Sequence, residues 1–421
     1  MTTASIQPTP RRASRLREIE GLRAVAAWSI VVFHVWVFSS PADLRWNLGP
    51  VTPFVSPLQS GVTLFFVLSG FLLYRPIAAA IVDAGRRPST AAYLRNRMLR
   101  ILPAYWVILV VVVFVLRSAS LGASARGVVG GPLSDVKTFV LDLFLVQTYD
   151  PHAIWSGLPP AWSLTIEVAF YLLLPLLGLM GMYLARGPAH SPRRIAGAAA
   201  PVLAMLILGA LGKTLVAVFS AGPPRGDIAS WHGVLARSLL THADLFGFGM
   251  GASLLLVLWQ RGLAGRSRVI LRSELARPLA YLGLPILVLG YYAFTAYLYE
   301  AVVALLAALV LLRLLAGPTS PKPSGLKARA LLTHPWTLGA GRHSYSVFLW
   351  NYPLLAFLSA HHLLAGGEGA GAFVVNLAVA VPIVAVLAAL TYRLVEAPAL
   401  RLKHRRREAA GAVPAVVPAK G

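Results

Sequence analysis

A bundle of about ten membrane-spanning helices is the fold this chain predicts, and three observations carry that expectation. Of 421 residues, 57% are hydrophobic and only 13% are charged, a balance far from that of soluble domains. Apolar runs of about 20 residues recur along the chain, each long enough to cross a bilayer core. The 38 lysines and arginines gather in short clusters between those runs, and every second cluster is dense, as the positive-inside pattern requires. The fold class is therefore all-α and polytopic.

Taken in order, the first span is expected at 22–40, after Arg11, Arg12, Arg15 and Arg17. That start has the look of a signal peptide. The run is long, however, contains His34, and lacks a small-x-small cleavage site, so it reads as a retained span. Further spans follow at 61–82, 101–118, 162–185, 195–219, 238–259, 277–293, 296–315, 341–361 and 371–393. The stretch Val136–Val146 is too short to cross, and counting it would invert every later loop. It is expected as an interfacial or re-entrant segment on the outer side. One set of loops carries Arg86, Arg87, Arg95, Arg97 and Arg100, then Arg186, Arg193 and Arg194. It continues with Arg261, Arg266, Arg268, Arg272 and Arg277, then Lys322, Lys327, Arg329 and the 401–407 tail. The opposite loops hold a scatter such as Arg45, Arg126, Lys137 and Arg225. This asymmetry predicts cytoplasmic termini and a multi-pass protein of the cytoplasmic membrane. The organisation expected is a basic N-terminus over 1–21, a transmembrane domain over 22–400, and a basic and then disordered tail over 401–421.

Composition also excludes. The formal charge of +23 could suggest nucleic acid, but no continuous basic face with interleaved aromatics exists, so no nucleic-acid partner is expected. There is no cysteine, which removes disulfides, thiolate metal sites and any acyl-cysteine intermediate. None of the ten histidines has an aspartate five residues on, and Gly-x-Ser-x-Gly, Walker A and His-Glu-x-x-His patterns are absent. No metal and no permanently bound cofactor is expected. The triplet Trp231-His232-Gly233 falls in an outer loop beside Asp227 and carries little weight.

The candidates for chemistry are the ionisable groups placed where a bilayer makes them costly. His34 lies inside the first apolar run, eleven residues after Arg23 and so roughly 16 Å deeper along a helix. A histidine satisfied by a neighbouring backbone carbonyl is the bland alternative. Counted from the outer side, Glu167 and Asp244 come out at a depth close to that of His34. Buried acids there could orient the ring and stabilise its protonated form. At the inner face, Arg97 and Arg100 share one helical face, and with Arg23 would form a cationic mouth suited to phosphates. A rival reading is a non-catalytic transporter or lipid-handling protein that uses His34, Glu167 and Asp244 as a proton relay. No inverted repeat or pair of broken helices is evident in its favour.

Seven segments in order, EIEGLRAVAAWSIVVFHV, GVTLFFVLSGFLLYRP, RNRMLRILPAYW, PAWSLTIEVAFYLLLPLL, DLFGFGMGAS, GRHSYSVFLWNYPLL and LTYRLVEAPAL, resemble those of the acyltransferase family 3 membrane proteins. The resemblance runs from Arg17 to about Arg401. It implies O-acylation of sugars, polysaccharides, glycolipids or natural products, with acyl-CoA (acetyl-CoA among others) as donor substrate and the bilayer as solvent. It also implies a catalytic histidine at His34, an arginine partner at Arg23, the Arg-x-x-Arg pair at Arg97 and Arg100, and a motif glutamate at Glu167. Two departures stand out. Family members usually have Leu-Trp-His where this chain has Leu349-Trp350-Asn351, and many have Glu-Gln where it has Val168-Ala169.

Overall fold

The computed structural model describes residues 17–39, 51–124, 127–131, 133, 135–219, 229–265, 267, 290, 296–316, 329–366 and 370–402. The helices among them are α1 (Arg17–Ser39), α2 (Thr52–Val55), α3 (Gly61–Val82), α4 (Thr90–Val110), α5 (Val136–Leu143), α6 (Trp162–Leu184) and α7 (Pro192–Phe219). They continue with α8 (Trp231–Ala236), α9 (Leu239–Gln260), α10 (Ala296–Ala316), α11 (Pro335–Arg342), α12 (Ser344–Ala360) and α13 (Ala370–Thr391).

Eight described segments are long and apolar enough to cross a membrane, and they coincide with eight of the ten expected spans. The expected 277–293 span lies, but for one residue, outside the described residues. At 341–361 stands α12, 17 residues long, preceded by the short α11. Proline sits inside α3, α4, α6, α7, α12 and α13. Membrane helices tolerate it because neighbouring helices satisfy the freed backbone groups.

Helix α4 starts at Thr90, where Ser89 caps it by accepting from Ala92 N at 3.3 Å. Arg95, Arg97 and Arg100 therefore lie on the helix, ahead of its apolar stretch. The segment 136–161 packs on the far part of that helix. Tyr105 Oη donates to Asp142 O at 2.6 Å and Trp106 Nε1 donates to Leu143 O at 2.9 Å, so the C-terminal end of α5 packs against the C-terminal part of α4. Asp135 caps α5, accepting from Lys137 N and Thr138 N. A small antiparallel sheet stands over this region, in the order β2 (Gly127–Gly131), β1 (Ala119–Ser124), β3 (Ser156–Gly157). The all-α expectation holds for the bundle, and the sheet is its one addition among the described residues.

The helices that build the main core touch almost backbone to backbone. A Cβ on Gly249 of α9 would fall 2.0 Å from Val67 O of α3, and one on Gly70 of α3 would fall 2.2 Å from Phe246 O of α9. Association in lipid rests on such close packing of small residues, since hydrocarbon supplies no hydrophobic drive between helices. A second, smaller core joins α1, α12 and α13 through Ala27, Val31, Val35, Val347, Leu355 and Val384. Helix α1 belongs to both, because Ile19, Leu22 and Ile30 face the main core.

The loops that carry Arg194 and Arg261 meet at the end of α3. Asp83, just past α3, accepts from Arg261 Nε at 3.0 Å and from His190 Nε2 at 3.0 Å, and Arg194 donates to Ile81 O. The Arg261 hydrogen bond holds the Asp83 carboxyl below the usual carboxylate range, with His190 adding to it.

Candidate active site

Helix α1 delivers Arg23 into a charged cluster. Its Nε donates to Ser344 Oγ at 3.3 Å, and its guanidinium sits 5.8 Å from the Phe65 ring centre. Arg100, Glu167 and Glu396 all lie within charge–charge range of it. Arg100 forms an ion pair with Glu396 at 3.2 Å, and Glu396 also accepts from Ser346. Glu167 accepts from Ser69 Oγ and from Tyr171 Oη, both at 2.6 Å. Arg97 faces Tyr93 and Tyr171. Among the described residues, Arg97 Nε, Tyr93 Oη, Arg95 Nε and Asn96 Oδ1 are buried without a hydrogen-bond partner. Three guanidinium groups (Arg23, Arg97, Arg100) thus face two carboxylates (Glu167, Glu396). One positive charge is in surplus, and unused donors remain. Orphaned buried donors are costly in a finished core, and Arg97 Nε is such a donor within a cluster of net positive charge, an arrangement suited to an anion.

Eleven residues further along α1, His34 is half-buried. Its Nδ1 is hydrogen-bonded to Asn351 Oδ1 on α12. The ring meets Tyr352 edge-on, with centres 5.2 Å apart, and lies 5.4 Å from Phe33. Asn351 is fully buried, and its Nδ2 donates to Phe348 O at 2.5 Å and to Val347 O at 3.4 Å. Helices α1 and α12 run parallel: Arg23 meets Ser344 and His34 meets Asn351.

The structure regroups the predicted residues. Arg23, Arg97, Arg100 and Glu167 come together, whereas His34 meets Asn351 and Asp244 meets Lys213, so the three groups His34, Glu167 and Asp244 have separate partners. Glu167 belongs to the arginine cluster through its contacts with Ser69 and Tyr171 and its charge–charge range to Arg23. Asp244 pairs with Lys213 of α7 through both carboxylate oxygens. His242, two residues earlier on its helix, bonds Ser238 O at 3.1 Å and lies 3.6 Å from Glu300. Helix α3 and the aromatic contacts of Phe66 with Trp162 and His242 stand on that side of the bundle. Glu396 was not among the predicted site residues, although its segment LTYRLVEAPAL carried part of the resemblance. Asn351 was noted as a departure, without its contact to His34.

These features define a polytopic helical membrane protein whose first helix carries His34 and, eleven residues earlier, Arg23, which joins Arg97 and Arg100 of α4 in a charged cluster. The chain belongs to the membrane acyltransferase family 3, whose acyltransferase domain model matches residues 16–393. It is 26% identical over 390 residues to a putative peptidoglycan O-acetyltransferase of Bacillus subtilis, covering 90% of this chain and 54% of that protein. An acyltransferase of Streptomyces mycarofaciens is 32% identical over 173 residues, 40% of each chain. A peptidoglycan O-acetyltransferase of Listeria monocytogenes is 26% identical over 209 residues, 49% of this chain and 30% of the relative. The chain thus spans about half or less of the length of these relatives. No solved structure matches it.

Proposed function

We propose that this protein is an integral membrane O-acyltransferase that moves a short acyl group from acyl-CoA to a hydroxyl of a sugar-bearing acceptor. The observation that carries the reading is the pairing, on one rigid helix, of Arg23 in a cluster with surplus positive charge and His34 about 16 Å further along. The phosphates of the donor bind at Arg23, Arg97 and Arg100, where Arg97 Nε is otherwise unused and guanidinium forks match phosphate oxygens. The thin pantetheine arm then reaches along α1 and sets the thioester carbonyl beside His34. His34 takes the proton of the acceptor hydroxyl, the oxygen attacks the carbonyl, and the thiol of CoA leaves carrying that proton. Glu167, between Ser69, Tyr171 and the arginines, holds the guanidinium groups in place. Asp244 plays no part in the chemistry.

Two of the relatives bear the name peptidoglycan O-acetyltransferase, which supports a saccharide hydroxyl of the cell envelope as acceptor. With the arginine cluster facing the cytoplasm, as loop charge argues, the donor enters from inside and the acceptor from the opposite face. The test is transfer of labelled acetyl from acetyl-CoA to envelope glycans in membranes carrying the wild type or His34→Gln. The variant should lose about 10²–10⁴-fold in turnover while remaining inserted. Undiminished transfer by the folded variant would remove His34 from the chemistry.

A further inference from the structure

Resting on that reading of His34 as the base, we infer that Asn351 is a positioning residue that locks the imidazole in the Nδ1–H tautomer and leaves Nε2 as the basic nitrogen. An amide has one accepting and one donating end, and a half-turn of Asn351 would exchange them. The backbone forbids that exchange. Asn351 Nδ2 lies 2.5 Å from Phe348 O and 3.4 Å from Val347 O, and an amide oxygen placed there would confront two carbonyl lone-pair sets. Oδ1 must therefore face His34. A carbonyl oxygen only accepts, so the His34 nitrogen against it, Nδ1, carries the proton. The other tautomer would set two lone pairs against each other at a site where the amide is wholly buried.

The consequence concerns the second nitrogen. Among the described residues, Nε2 of His34 makes no hydrogen bond, and His34 is half-buried rather than sealed. In the transfer step the acceptor O–H bond breaks and an Nε2–H bond forms. The C–O bond then forms and the C–S bond breaks, and the Nε2 proton passes to the leaving sulfur. Throughout, Nδ1–H remains donated to Asn351. Because the partner is a neutral amide, it cannot take a proton in turn, so the proton that arrives on Nε2 has the leaving thiolate as its destination. The edge-on Tyr352 ring, 5.2 Å away, limits how far the imidazole can swing about the Nδ1 contact.

Asn351→Leu keeps the approximate volume and removes the acceptor, whereas Asn351→Asp, protonated at this wholly buried position, keeps an acceptor oxygen toward His34 and donates its hydroxyl to Phe348 O in place of Nδ2. The loss in Asn351→Leu cannot exceed the contribution of the base itself, about 10²–10⁴-fold. The expected result is a drop in kcat of about 10- to 10²-fold with KM for acetyl-CoA within about twofold, and recovery of most of the kcat in Asn351→Asp. Asn351→Leu turning over within about threefold of wild type would overturn the inference, as would equal losses in both variants. Ring-15N-histidine NMR of the folded wild type decides independently of activity. The resonances present in wild type and absent in His34→Gln should show a protonated Nδ1 and an unprotonated Nε2, and the reverse assignment sinks the proposal. An inactive His34→Gln beside an active Asn351→Leu would defeat this inference alone; an active His34→Gln would defeat the base reading beneath it.

Discussion

Replacing Asp142 by asparagine should remove a pH dependence of stability that the wild type carries between about pH 5 and pH 8. Asp142 is wholly buried in α5, and among the described residues its Oδ2 has no hydrogen-bond partner. Burial pushes its carboxyl up to about 7 from an ordinary 3.8, against the opposing hydrogen bond from Ser156. Ser156 Oγ is within reach of both Asp142 Oδ1 and Ala153 O, at 2.9 and 2.7 Å. It has one proton to give. When that proton goes to Ala153, the carboxyl must donate, and so must be protonated. A raised acid binds its proton more readily in the folded state, so its contribution is full below about pH 4 and fades as pH climbs through 7. With those two values, the folded state loses about 2.5 kcal/mol on going from pH 5 to pH 8. The assay is thermal unfolding of the purified protein in detergent at a series of pH values, wild type against Asp142→Asn. The difference between the two curves isolates this group from all others. A wild type whose midpoint tracks that of the variant across the whole series would refute the argument, because the carboxyl would then be solvated or already ionised in the fold.

Two further outcomes follow from the charge network. Arg97→Ala should raise KM for acetyl-CoA more than it lowers kcat, since phosphate contacts are present in ground and transition states alike; steady-state kinetics that show kcat falling at constant KM would place Arg97 in the chemistry. Asp244→Ala should cost roughly 3–5 kcal/mol by stranding Lys213 in the bundle, and adding Lys213→Ala should recover part of it; thermal unfolding of the two proteins checks this, and an additive double variant would mean the pair is not coupled.

What the sequence made legible follows from how each residue meets lipid. The spans stand out because a bilayer demands uninterrupted apolar length, and His34 and Arg23 stand out because each is a polar group in such a run. Lys213 gave the same signal inside the 195–219 run, and it is the partner that takes Asp244 out of the active site. Asn351 showed only as a departure from the family pattern: an uncharged amide in a helix looks the same in sequence whether it faces lipid, backbone or a histidine ring. Glu396 follows the last span, where charge is ordinary, so only the contact with Arg100 reveals it. The sheet was illegible because β1 and β2 are built largely of Gly, Ser and Ala, without the alternation that marks strands.

Because Arg23 and His34 ride on one unbroken helix, α1 acts as a caliper with fixed jaws. Its setting, about 16 Å by helical rise, cannot be altered by loop motion or by tilting one span against another, since both contacts move as a single body. A donor whose acyl carbon adjoins its phosphate, such as an acyl phosphate, closes on one jaw and never reaches the other. Discrimination among activated acyl groups would then rest on the length of the handle rather than on the acyl group itself. The chemistry of the transferred group is left to the walls around His34, and a chain altered there could change what it transfers while keeping its donor.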